Sequence, residues 1–451
     1  MSKHPARTPV IEPAYNPNDE RYWDPRDLEQ ELLRTFQVCH ECRMCVTYCG
    51  SFPILFKAID REIDGGRAEG SENVNAETVH AVTDHCWQCK LCYIKCPYTP
   101  DEGAHELLDF PRLMAREKAQ RSRRDGVPLV DRVLGEPQLI GALSAGPQAK
   151  LANIVNSKRL LRKVVERVTG ISAEFPLPPI ATEAFTRWHR SHTPSEGAGV
   201  NGQVVLFPTC YGEYNFPEVP RAAVQVLERN GFEVIVPEQL TCCGMPNLDG
   251  GDIDAARAKM RQNVELLAPF VERGLNVVVP GPTCGYTMKK EWPVYLGTEQ
   301  ATGVAAKTFD LMEFLDRLRR EKKLVKNFTR GLGRVAYHAS CHLRAQKIAI
   351  PGARVLSLLP DTDVRIVERC SAVDGTWGMK AKYYEEGVRY AQRLSNAIED
   401  EAPAEGEGEL SVVTDCSLAA LRVLKQNGRA ARHPVVALAE AYGFGEGAGS
   451  T

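Results

Sequence analysis

Cys39-His-Glu-Cys42-Arg-Met-Cys45-Val-Thr-Tyr-Cys49 and Cys86-Trp-Gln-Cys89-Lys-Leu-Cys92-Tyr-Ile-Lys-Cys96-Pro97 repeat one spacing, C-x2-C-x2-C-x3-C. It is the spacing of a cubane iron-sulfur site. A [4Fe-4S] cube takes one thiolate on each iron, and three cysteines two residues apart wrap three corners in a tight loop. The fourth ligand comes from elsewhere, and in two-cluster ferredoxins the fourth cysteine of each run serves the other cluster. Cys39, Cys42, Cys45 and Cys96 are therefore assigned to a first cube, and Cys86, Cys89, Cys92 and Cys49 to a second. Structural zinc on paired C-x2-C knuckles is one competing reading, and disulfides in an oxidising compartment are another. Zinc rarely takes three cysteines from one short loop and a fourth just beyond it, twice over, so clusters fit better. The runs differ in one respect: Gly50 follows Cys49, whereas Pro97 follows Cys96.

A chain of 451 residues allows two or three domains with their own cores. Its 43% hydrophobic and 25% charged residues are those of an ordinary soluble globular protein. Lys and Arg number 56 against 58 acidic residues, a net charge of -2, so no overall field favours nucleic acid. Met1-Ser-Lys-His-Pro-Ala-Arg lacks the apolar core of a secretory signal. No apolar run approaches the ~18 residues of a transmembrane segment. The expectation is a cytoplasmic protein with reduced thiols, whose membrane contact, where it occurs, is peripheral on the cytoplasmic face of the inner membrane.

Residues 1–25 read as an extended arm and 26–110 as a helical, ferredoxin-like two-cluster module, entered by a helix over 26–38 with Leu28, Leu32, Leu33 and Phe36 on one face. His105 reads as a histidine satisfying a hydrogen bond at a domain edge, with ligand or proton donor as the alternative. Residues 111–170 form a basic helical connector. Six basic residues lie between Arg112 and Arg124, and 149–169 sets Leu151, Ile154, Val155, Leu161, Val164, Val165 and Val168 at helical spacing against Lys158, Arg159, Arg162, Lys163 and Arg167. Such a stretch packs on its own protein or lies on an anionic bilayer or acidic partner. The Pro- and Gly-rich 171–202 reads as a linker.

The remainder is a repeat, 203–330 and 331–451. Val204-Val-Leu-Phe-Pro-Thr-Cys210 corresponds to Val335-Ala-Tyr-His-Ala-Ser-Cys341, Cys242-Cys243-Gly244 to Cys370-Ser371-Ala372, and the strand before Cys284 to the one before Cys416. Short apolar strands alternating with helices predict two tandem α/β units with parallel strands. Sites in such units form at the carboxyl ends of the strands, so the cysteines there should converge. The fold class expected overall is α+β: the helical two-cluster module, then two cysteine-rich repeats.

Two ferredoxin runs followed by paired C...CCG...C repeats resemble the family of the C subunit of anaerobic glycerol-3-phosphate dehydrogenase. The chain is also similar to the iron-sulfur subunit of glycolate oxidase and to a fusion of the C and B subunits of heterodisulfide reductase. The stretches that carry the resemblance include Cys96-Pro-Tyr-Thr-Pro100, Cys242-Cys-Gly-Met-Pro246, Gly281-Pro-Thr-Cys-Gly285, Tyr337-His-Ala-Ser-Cys-His342 and Gly375-Thr-Trp-Gly378. The resemblance implies electron passage from a flavoprotein dehydrogenase, or another redox partner subunit, towards quinone or another acceptor. In heterodisulfide reductase each complete repeat holds a five-cysteine, non-cubane iron-sulfur centre. Here Cys210, Cys242, Cys243 and Cys284 stand in the first repeat with Thr287 in the last place. Cys341, Cys370 and Cys416 stand in the second, with Ser371 and Ala419 in the others. Four thiolates can hold a third centre, iron-sulfur or zinc; three form a degenerate one that needs help from His338 or His342. The missing ligands argue against disulfide cleavage. With no nucleotide-binding glycine fingerprint present, the leading expectation is an electron-transfer subunit that is not catalytic alone. The alternative is a heterodisulfide- or quinone-reductase catalytic subunit with its site in the repeats. A metal-stabilised scaffold would not need eight ferredoxin-spaced ligands.

Overall fold

Asp24 caps the first helix, α1 (Pro25–Cys42), by accepting from the Arg26 amide at 2.9 Å, with Pro25 in the first turn where its missing N–H costs nothing. In this computed structural model, which describes residues 12–66, 70–373, 375–404, 406 and 408–444, residues 1–11 of the expected arm lie outside the described set. Leu28, Leu32 and Phe36 recur every four residues on the buried face of α1. They pack with Phe52, Leu55, Phe56 and Ile59 of α2 (Ser51–Asp64) and Val82 of α3 (Ala76–Asp84). The helix expected to end at 38 runs on through Cys39 and Cys42. It stops at Arg43, whose φ of 52° takes the left-handed turn. The second run stays irregular until α4 (Leu91–Lys95).

Of the six basic residues that begin the expected connector, two are internal. They belong to α5 (Phe110–Asp125), where Arg116 and Lys118 are buried. Arg116 donates to the Tyr22 carbonyl at 2.9 Å, which straps the chain segment before α1 onto α5, and Lys118 donates to the Asp249 carbonyl at 3.1 Å. Buried cations with carbonyl or carboxylate partners keep their hydrogen bonds after leaving water. α5 is thus a strut between the cysteine loops and the first repeat.

Four helices follow: α6 (Leu129–Leu134), α7 (Pro137–Ser144), α8 (Ala149–Ser157) and α9 (Arg159–Thr169). The continuous helix expected over 149–169 breaks at Lys158, which is extended. Residues 171–202, expected as a linker, are packed in. Ile171 pairs with Lys380 in an isolated antiparallel bridge, and Phe175 and Phe185 are buried. The prolines there suit an extended segment lying against a core as well as they suit a free loop.

The two repeats carry the same sheet. β1 (Gln203–Leu206), β2 (Glu233–Ile235), β3 (Asn276–Val279) and β4 (Thr308–Asp310) are parallel in the order β2-β1-β3-β4. β5 (Gly333–His338), β6 (Thr362–Val367), β7 (Ser411–Thr414) and β8 (Ala431–Arg432) repeat it as β6-β5-β7-β8. One apolar core runs through both, joining Leu206, Leu227, Val278 and Leu315 to Val335, Tyr337, Val413 and Leu438. The fold is α+β, with a helical cysteine module ahead of two parallel α/β sheets.

Candidate functional site

The two cysteine runs exchange their last members. Cys39 faces Cys42, Cys45 and Cys96. Cys92 faces Cys89, Cys86 and Cys49, with Cys45 of the first group beside it. α1 sets Cys39 and Cys42 three residues apart on one helix face, and the turn at Arg43 swings Cys45 round to join them. In the second run Gln88 and Lys90, at φ 56° and 62°, bend the loop on either side of Cys89. Gln88 Nε2 lies 3.4 Å from Cys86 Sγ. Burial, and then the neighbouring thiols, raise the pKa of Cys39 and Cys92, and push Cys45 up to about 12. Four thiols crowded in this way resist becoming four anions on their own, and a cationic inorganic core relieves that repulsion. No three His, Cys, Asp or Glu side chains among the described residues converge as ligands of a single metal ion. The thiols are instead grouped as quartets, which suits a core with its ligands at the corners.

In the repeats every cysteine lies at or just beyond the carboxyl end of a strand. Cys210 begins the short helix after β1, Cys242 and Cys243 follow β2, and Cys284 sits in Pro282–Tyr286 after β3. Cys341 begins the helix after β5, Cys370 follows β6, and Cys416 caps the helix Ser417–Asn427 after β7. The carboxyl ends of the two sheets face one another across a cavity of about 110 Å³ that all seven cysteines line. Leu91, between Cys89 and Cys92, lines it too. Hydrogen bonds from the Cys210 and Cys243 thiols pull Cys242 well below the ordinary thiol range, assisted by the Gly244 amide and Lys259. The same bond to Cys242, reinforced by burial, holds Cys210 up, and Cys243 is held up by its bonds to Cys242 and Cys284. One thiolate stabilised by its neighbours is a donor set suited to a metal centre.

The helper ligands expected in the second repeat are engaged elsewhere. His338 has Thr414 Oγ1 at 2.9 Å on Nδ1 and the Arg369 carbonyl at 3.0 Å on Nε2. His342 has Thr283 Oγ1 and the Gln88 carbonyl, each at 3.0 Å. Neither ring keeps a free nitrogen for a metal. Burial lowers both to about 4, so both are neutral. Thr287 turns its hydroxyl to the Thr283 carbonyl at 2.7 Å, and Ala419 is buried. His105 is exposed beside Glu106 at 3.4 Å.

A charged junction joins the second cysteine run to the first repeat, and nothing in the sequence pattern signalled it. Lys90 Nζ lies 3.3 Å from Glu291, and Arg112 Nε 3.1 Å from the same carboxylate. Burial alone would raise Glu291; the two cations outweigh it and hold the group at about 2. The second repeat also touches this run. Trp377 donates to the Asp84 carbonyl at 2.9 Å and packs on Trp87, ring centroids 5.1 Å apart. Cys370 lies against the same apolar cluster as Cys49 and Cys86.

Residues 204–289 match the Cysteine-rich domain family, CCG. The C subunit of anaerobic glycerol-3-phosphate dehydrogenase from Escherichia coli K12 is 26% identical over 311 residues, 68% of this chain and 76% of its own length. The glycolate oxidase iron-sulfur subunit of the same strain is 25% identical over 380 residues, 80% of this chain and 84% of its own length. Lactate utilization protein A of Oceanobacillus iheyensis is 30% identical over 187 residues, 40% of this chain and 73% of its own length. The chain belongs to the family of cysteine-rich CCG proteins that includes these three.

Proposed function

We propose that this chain is an iron-sulfur electron-transfer subunit, taking electrons from a flavoprotein dehydrogenase and passing them to quinone or another acceptor. One observation carries the reading: three groups of thiols stand in series. Cys39, Cys42, Cys45 and Cys96 adjoin Cys49, Cys86, Cys89 and Cys92, whose loop reaches the inter-repeat cavity through Leu91. [4Fe-4S] clusters on the first two groups supply one-electron carriers. The protein's part is to fix the thiols, exclude water and neutralise the junction through Lys90, Arg112 and Glu291. The quartet of the first repeat is the place for a third centre, of iron-sulfur type rather than a single zinc ion, because no three side chains among the described residues converge on one metal. Relatives named as subunits of a dehydrogenase and an oxidase support a redox partner subunit. A tagged chain isolated anaerobically should bring down a flavoprotein, and that flavoprotein's substrate should bleach the chain's visible absorption. Bleaching by substrate without any second protein would favour the alternative, a reductase acting at the apolar cavity.

The surface of α7 to α9 supports peripheral membrane contact. Its apolar side faces outward: Leu143 is 68% exposed and Leu160 80%, alongside Leu139, Leu151, Ile154, Val164 and Val168. Lys158, Arg159, Lys163 and Arg167 are exposed among them. Arg162 is not available to lipid, because its guanidinium is buried and donates to the carbonyls of Ser172 and, at 3.0 Å, Phe175. No described helix is long and apolar enough to cross a membrane. Apolar burial plus about 1 kcal/mol per surface cation is the arithmetic of an interfacial helix on anionic lipid. Changing Lys158, Arg159, Lys163 and Arg167 together to Gln should release the protein from anionic phospholipid vesicles without altering its iron content. Equal binding by this variant at low salt would remove the surface from consideration.

A further inference from the structure

His342 follows Cys341, yet both of its ring nitrogens serve other parts of the chain. Nε2 meets the carbonyl of Gln88, inside the loop between Cys86 and Cys89, and Nδ1 meets the hydroxyl of Thr283, next to Cys284. A carbonyl only accepts, so Nε2 carries the proton and Nδ1 accepts from Thr283 Oγ1. The ring is 2% exposed and stacks on Tyr286, centroids 5.3 Å apart and planes 19° apart. Tyr286 in turn faces the Lys90 ammonium at 5.8 Å. One imidazole from the second repeat therefore holds the second cysteine run and the first repeat's cysteine helix at fixed distances from itself.

We infer that His342 is the positioning residue that couples the Cys49, Cys86, Cys89 and Cys92 group to the Cys210, Cys242, Cys243 and Cys284 quartet for electron transfer. The inference rests on the electron-transfer reading above. With iron-sulfur centres held by both groups, one electron would leave the first, oxidising it, and enter the second, reducing it. A reduced flavin of the donor protein, or dithionite in vitro, restores the first. No bond forms or breaks, and the ring keeps its proton throughout. Histidine suits the place because it offers a donor and an acceptor on opposite sides of one rigid plane. Glutamine can keep the donor towards Gln88 and asparagine the acceptor towards Thr283, each at the expense of the other. The degenerate second repeat thereby serves as a spacer between two groups of ligands, neither of which is its own.

The test uses full-length protein purified anaerobically with its clusters. H342A, H342Q and T283V are mixed with limiting dithionite and freeze-quenched for electron paramagnetic resonance. H342A should delay the signal of the repeat centre by about tenfold, the effect of losing a buried hydrogen bond at each end of the contact. Amide exchange over 86–92 should quicken while iron and sulfide content stay the same. H342Q should recover part of the rate, and T283V, which loses one arm only, should fall between. If H342A loses its clusters, T283V decides: an intermediate delay supports the inference and the unmodified rate overturns it. Wild-type transfer with unchanged exchange in H342A overturns it outright. A protein with reversible cubane signals but no repeat-centre signal overturns the coupling while leaving the cubane carriers standing. Absence of any reversible signal overturns the electron-transfer reading itself.

Discussion

In the first repeat Cys242 lies in hydrogen-bonding reach of Cys210 and Cys243, and Cys243 of Cys284. In the second, Cys341, Cys370 and Cys416 hold the matching strand ends, with Ser371 and Ala419 in the remaining places. The backbones nevertheless agree in strand order and even in an unfavourable detail. Gly244 turns at φ 92°, and Ala372, its counterpart, takes φ 49° although a side chain there is strained. The second repeat keeps the scaffold with fewer thiols on it. Its present contacts say why: Trp377 and His342 grip the second cysteine run, so the second repeat holds a neighbouring site in place where the first can hold a centre of its own.

Substituting the ligands breaks that contrast most sharply. Cys92→Ala should remove one cube, roughly half of the cubane iron, and loosen the N-terminal module whose core it shares. Cys210→Ala should leave both cubes intact and abolish only the repeat centre. Cys341→Ala should change neither, by iron and sulfide analysis and electron paramagnetic resonance. Loss of cubane signals in Cys210→Ala would show that the cysteine groups are not separate.

The matched turns give a smaller effect of opposite sign. A methyl group at Gly244 would sit 3.0 Å from the Ala256 carbonyl, in a conformation that already disfavours a side chain. Gly244→Ala should therefore cost about 2 kcal/mol. Ala372→Gly should stabilise by up to about 1 kcal/mol, since strain relieved in the fold exceeds the freedom gained by the unfolded chain. Thermal midpoints of the two variants decide it, and equal shifts would mean that the two turns are not equivalent.

The smallest effect concerns the seam between the repeats. His433, in the second, has Nε2 2.8 Å from the Pro280 carbonyl in the first, and burial lowers it to about 4. Between about pH 6.5 and 4 the unfolded chain binds a proton that the folded one refuses. Stability from this group is therefore complete above that window and is lost as pH falls through it, by at most about 1.4 kcal/mol per pH unit. His433→Gln should reduce the slope of the thermal midpoint against pH in that range, leaving the share of His338 and His342, which burial lowers in the same way, and an unaltered slope would place the titration elsewhere.

Much of the site was legible in sequence because cysteine spacing carries its own chemistry. C-x2-C-x2-C-x3-C predicted which thiols stand near one another, their role as cluster ligands being the proposal, and the apolar runs ending in Cys210, Cys284, Cys341 and Cys416 predicted the strand ends. What stayed hidden depends on partners distant in the chain. Arg112 reads as one more cation in a basic helix until Glu291, 179 residues away, is seen against it. His342 read as a helper ligand beside Cys341, since no periodicity reveals that its nitrogens face Gln88 and Thr283. The 171–202 stretch was read from its prolines and glycines, whereas Phe175 and Phe185 decide where it lies.

Stepwise reduction of the anaerobically purified protein, followed by visible absorption with iron, sulfide and zinc analysis, tests the electron-transfer role most directly. The expected result is about eight iron atoms or more per chain, on two cubes, and a broad absorption that bleaches on reduction and returns on reoxidation. Stoichiometric zinc without iron or sulfide, or iron whose absorption does not respond to reductant, would contradict it.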